Sequence, residues 1–93
     1  MKMTIDTDVL EEVEQKTDIE QSRSLVLYND DFNTFDTVID ALIKICKHET
    51  IQAEQCTWIV HYNGKCAVKE GEFKKLRPLR QALNERGLTA KIH

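Results

Sequence analysis

Asn29, Asp30 and Asp31 stand together at the end of a short apolar run, and His61 lies well downstream of them. Two carboxylates and an imidazole could form the metal or acid–base set of a small hydrolase. That reading ranks last, because they come without a third or fourth supporting ligand. Alone, Asn-Asp-Asp reads as a turn, since both residue types hydrogen-bond their own backbone and tolerate left-handed geometry. Alone, His61 reads as a packing residue near a helix end. Other chemistry is missing. Three isolated glycines make no phosphate-cradling loop, no serine sits in a nucleophile elbow, and His48, His61 and His93 lack metal-ligand spacing. No metal and no cofactor is expected, and no enzyme.

The elements that would position these residues follow from periodicity. Leu25 to Tyr28 is a short β-prone apolar run, ordered from Ser24 onward and stopped by Asn29-Asp30-Asp31. Phe35, Val38, Ile39, Leu42 and Cys46 line one face of an amphipathic helix, with Asn33 as its expected N-cap and Lys44 and Lys47 suiting its C-terminal end. A second helix is expected after Thr50, its expected N-cap, with Ala53, Cys56 and Val60 on one stripe and Thr57 and His61 beside it. Asn63-Gly64 ends it.

Lys65 to Lys69 alternates as a half-buried strand would, and Glu70-Gly71 reads as a turn. A third helix spans 72–86 and ends at Gly87, either starting near Pro78 or kinked there. Leu88 to Ile92 closes as a strand. The order β-α-α-β-α-β predicts an α+β sandwich, three helices on a small three-stranded antiparallel sheet.

Ninety-three residues make one domain, and 41% hydrophobic with 31% charged residues is ordinary globular composition. No apolar run is long enough to span a membrane and no signal pattern opens the chain, so a cytoplasmic protein with no membrane partner is expected. Cys46, Cys56 and Cys66 form an odd set without a CxxC pair, which reads as buried free thiols in a reducing compartment. Charge is unevenly placed: residues 1–22 are net −5 and residues 65–93 net +5. Residues 1–22 therefore read as a flexible acidic N-terminal extension and 23–93 as the core domain. The acidic balance of the whole argues against nucleic acid as a partner. The rival reading is an RNA- or ribosome-associated module using the basic face from Lys74 to Arg80.

Taken together, Asn29-Asp30-Asp31 with Phe35, Val38-Ile39-Asp40, and His61-Tyr62-Asn63-Gly64-Lys65 resemble the ClpS family. These adaptors deliver proteins with destabilising N-terminal residues to Clp AAA+ proteases. The resemblance runs through residues 24–70 and more weakly to Ile92. It implies the same β-α-α-β-α-β fold and a site for a peptide's free α-amine at Asn29, Asp30 and His61, with Asp31 shaping the loop or contacting peptide backbone. It implies an apolar pocket for a first residue of Leu, Phe, Tyr or Trp, walled by Phe35, Val38, Ile39, Thr57, Val60 and Leu88. It also implies docking on the N-terminal domain of a Clp ATPase, for which Lys74, Lys75 and Arg77 are the candidates, and a mobile extension that the ATPase pore engages. Phe35 stands where Met is common, Thr57 replaces a larger apolar residue, and Thr34 stands where Pro is frequent. A shifted ranking among the four first residues is the expected result.

Overall fold

The computed structural model describes residues 22–93. The expected extension, apart from Ser22, lies outside the described residues. The elements are β1 (Ser22–Tyr28), α1 (Phe35–Cys46), α2 (Thr50–Asn63), β2 (Lys65–Glu72), α3 (Phe73–Glu85) and β3 (Thr89–Ile92). The sheet order is β2-β1-β3, with both pairings antiparallel. This is the three-helix, three-strand α+β arrangement expected from the sequence.

The apolar run of β1 takes the central position because it can be covered on its helix-facing side. Leu25 and Leu27 are fully buried there, while Val26 and Tyr28 alternate outward and stay half-exposed. Val38, Ala41, Leu42 and Cys46 of α1, with Ala53 and Val60 of α2 and Leu76 and Leu83 of α3, close one core over them. Among the described residues no helix is long and apolar enough to cross a membrane.

Three local expectations are corrected, and the alternative left open at Pro78 is decided against a helix start there. Thr34, not Asn33, caps α1: its side-chain oxygen accepts from the backbone N–H of Thr37 at 3.1 Å. Glu49 precedes α2, and Thr50 is its first helical residue. Glu70-Gly71 is no turn, because β2 runs through it: Arg23 pairs with Gly71 and Ser24 with Glu70, so the strand pairing outweighs local turn preference. Pro78 lies inside α3, which starts at Phe73. Burial of Leu76 and Leu83 on either side of the proline holds the helix together across the lost N–H bond.

The ladder between β1 and β2 carries a bulge at Val68, between the Leu25–Lys69 and Val26–Ala67 pairs. The Val68 carbonyl bonds His48 Nε2 at 2.6 Å. A carbonyl can only accept, so Nε2 carries the proton and donates. His48 is buried, and it ties the α1–α2 connection to the sheet.

Candidate functional site

The loop after β1 is built around one carboxylate. Asp30 Oδ1 accepts from the backbone N–H groups of Phe32 and Asn33, each at 2.8 Å, and Oδ2 accepts from Asn33 Nδ2 at 2.9 Å. Burial pushes the Asp30 carboxyl up, but the Asn33 bonds and the Phe32 N–H outweigh it and hold the group below its ordinary 3.8. Asp30 is therefore a fixed anion at neutral pH, with one of its four lone-pair positions left for another donor. Asn33 also donates to the Gly87 carbonyl at 3.0 Å, which pins the loop to the turn between α3 and β3.

The backbone N–H of Asn29 donates to the Gly64 carbonyl at 2.8 Å. This bond joins the end of β1 to the end of α2, where His61 sits in the last turn. Two stretches far apart in sequence are thereby brought to one cavity of about 300 Å³. Its polar end is formed by Asn29, Asp30, Asp31, Asn33 and His61, and its apolar walls by Phe35, Val38, Thr57 and Val60. Phe35 meets the His61 ring edge-on, with centroids 5.7 Å apart.

Thr57 is buried in the cavity wall, and its hydroxyl donates to the Ala53 carbonyl at 2.7 Å. That internal bond is what lets a polar residue stand among Val38 and Val60 without an unmet donor.

Eight of the residues singled out in the sequence meet here: Asn29, Asp30, Asp31, Phe35, Val38, Thr57, Val60 and His61. Ile39 and Leu88 do not line the cavity. Ile39 packs against the core, and Leu88 is buried in it. Lys74, Lys75 and Arg77 lie apart, exposed in the first turns of α3. Asn33 is the residue that sequence reasoning placed in the wrong role. Its signal was the Asp-x-x-Asn spacing, in which a carboxylate folds forward onto the N–H groups two and three residues on.

Among the described residues, no group of three His, Cys, Asp or Glu side chains comes close enough to hold a metal ion. Burial pushes the Cys46 thiol up to about 11 and the Cys56 thiol up to about 12, so neither is a ready nucleophile. What the cavity offers is recognition: a fixed anion with acceptor groups at one end and a one-side-chain apolar space at the other.

The family model described as ClpS, ATP-dependent Clp protease adaptor protein ClpS, matches residues 18–91. The ATP-dependent Clp protease adapter protein ClpS of Clostridium acetobutylicum is 33% identical over 86 residues, covering 80% of this chain and 85% of that relative. Among solved structures, Agrobacterium tumefaciens ClpS2 bound to L-phenylalaninamide has the same fold, with a TM-score of 0.67 at 18% identity. The match covers 78% of this chain and 95% of that one. The chain belongs to the ClpS family, whose members are adaptor proteins of the ATP-dependent Clp protease and not enzymes themselves.

Proposed function

We infer that this adaptor captures proteins whose first residue is Leu, Phe, Tyr or Trp and delivers them to a Clp AAA+ ATPase in the cytoplasm. The observation that carries this reading is the joining of the Asp30 anion to an apolar wall within one cavity of about 300 Å³. An α-ammonium has three donors, and the carboxylate of Asp30, the amide oxygen of Asn29 and an imidazole nitrogen of His61 form a matching acceptor set. L-phenylalaninamide, the molecule named with the Agrobacterium relative, joins an α-amine to an aromatic side chain in the same way.

Phe35, Val38, Thr57 and Val60 receive the first side chain, whose burial contributes about 1.5–3 kcal/mol. An acetylated or internal residue would leave Asp30 desolvated without a counter-charge, which supplies the discrimination. Asp31 shapes the loop or meets the peptide backbone, and Ile39 and Leu88 support the wall from behind.

Docking on the ATPase's N-terminal domain falls to Lys74, Lys75 and Arg77. These cations stand at the start of α3 with no acidic residue in its first turn. Positive charge at the positive end of a helix is unfavourable, and an acidic partner surface would relieve it. The acidic segment 1–22 serves as the handle that the ATPase engages.

The test is fluorescence anisotropy with a labelled peptide beginning with Leu or Phe, beside the same peptide beginning with Ala and the same peptide N-acetylated. Binding of the free Leu or Phe peptide alone, in the micromolar range or tighter, is the expected result. Asp30→Ala and His61→Ala should each abolish it. Equal binding of acetylated and free peptides would overturn the reading. Salt-sensitive RNA binding in place of peptide binding would move the function to the α3 face.

A further inference from the structure

The rim of the cavity carries more aromatic surface than anchoring one residue uses. Trp58 and Tyr62, one turn apart on α2, lie 8° from parallel with ring centroids 5.2 Å apart. They are 48% and 73% exposed, so neither is spent on the core. The stack is continuous with the site. Trp58 meets Phe35 edge-on at 4.4 Å, and Tyr62 meets His61 edge-on at 5.1 Å. A soluble helix that leaves two large rings stacked in water beside a binding cavity presents a contact surface.

The charge of the cavity narrows the occupant. Asp30 and Asp31 line it, and no Lys or Arg does. A polypeptide leaving the cavity therefore starts at a negative end and has the exposed Trp58 and Tyr62 rings beside it. The side chain that suits both is a flat cation. A guanidinium stacks on a ring face and offers its edge N–H groups to a carboxylate, whereas an ammonium does only the second well. Geometry limits which residue can reach. Successive Cα atoms are about 3.8 Å apart, so only the second and third residues of an anchored chain pass within side-chain reach of rings that touch Phe35 and His61.

We propose that the Trp58–Tyr62 stack is a second subsite, which takes an Arg side chain at the second or third position of the captured polypeptide. This rests on the reading of the cavity as a free-amine site, and the two can fail separately.

Trp58 is the one tryptophan of the chain, so its intrinsic fluorescence reports the contact directly. Peptides beginning Leu-Ala-Ala, Leu-Arg-Ala, Leu-Ala-Arg and Leu-Lys-Ala, all non-fluorescent and otherwise identical, are titrated against the full chain. At least one Arg peptide should bind about two- to fivefold tighter than Leu-Ala-Ala and change the Trp58 emission, with Lys gaining less. Tyr62→Ser should remove the Arg advantage, read as the ratio of Arg-peptide to Leu-Ala-Ala affinity within the same variant, since Tyr62 also touches His61. Trp58→Leu, which touches Phe35 as Tyr62 touches His61, should remove the same ratio.

Arg peptides no tighter than Leu-Ala-Ala would overturn the subsite and leave the cavity reading standing. A gain equal for Lys and Arg and insensitive to Tyr62→Ser would also overturn it, in favour of general charge attraction. Failure of every free-amine peptide to bind would overturn the cavity reading and the subsite with it.

Discussion

Asn33 holds both oxygens of Asp30: its backbone N–H donates to Oδ1 at 2.8 Å and its side-chain amide to Oδ2 at 2.9 Å. The same amide reaches the Gly87 carbonyl, so the loop anion is oriented by a contact from the far end of the chain. Asn33→Ala keeps the backbone bond and loses the other two. We expect free-amine peptide affinity to fall about fivefold or more, since a charge-assisted hydrogen bond contributes roughly 1.5–3 kcal/mol. Thr34→Ala is the comparison. It removes the α1 cap and should lower stability by about 1 kcal/mol in urea unfolding, with affinity retained. If Asn33→Ala behaves like Thr34→Ala, its part is structural only.

The Asp30 carboxyl sits below its ordinary 3.8, which sets the sign of its pH dependence. A depressed carboxyl adds stability that is present above the unfolded value and lost as pH falls through the lower folded value. The stability difference between the natural chain and Asp30→Asn, about 1 kcal/mol after allowance for solvent screening, should be level from pH 5 to 7. It should shrink below about pH 4. Urea melts across that range check it, and a difference that already vanishes at pH 5 would show that the loop does not hold Asp30 ionised.

Thr57 leaves room and a back-bonded hydroxyl in the cavity wall. Thr57→Met fills that space with a flexible apolar chain. Binding of peptides beginning with Trp should weaken by about tenfold, the result of overpacking, while those beginning with Leu change little. A ranking of the four first residues identical in the two proteins would show that Thr57 does not set it.

His48 donates from Nε2 to the carbonyl freed by the Val68 bulge, and its Nδ1 is buried without a partner. His48→Ala leaves that carbonyl unmet and opens a cavity, and should cost about 2–4 kcal/mol in urea unfolding. His48→Gln, which can still place an N–H at the carbonyl, should recover part of the loss. Equal losses in the two variants would show that volume, and not the bond, is what His48 contributes.

The elements legible in the sequence are those whose cause is local. The α1 face from Phe35 to Cys46 repeats at helical spacing, and three of its residues, Val38, Leu42 and Cys46, are buried. The β1 run can satisfy its apolar side chains only in a sheet interior. The second helix has a fainter pattern, because it is apolar on two sides: Ala53, Thr57 and Val60 face the core while Trp58, Ile59 and Tyr62 stay exposed. Local rules failed where a distant partner supplied the energy. Glu70-Gly71 extends because β1 pairs with it, and Asn33 is turned from the helix cap because Asp30 and the Gly87 carbonyl both accept from its side-chain amide.

Residue types alone left Asn29-Asp30-Asp31 as a turn and His61 as a packing residue, and it was their joint resemblance to the ClpS motifs that implied a binding role. That they share one cavity was decided by the tertiary structure, through the Asn29–Gly64 bond and the packing of α1 on α2. The same packing placed Phe35 against Trp58 and left the Trp58–Tyr62 stack in solvent. A hydrogen bond or a ring contact needs its partners within a few ångströms, and the distance between residues far apart in sequence exists only once the chain has closed its core.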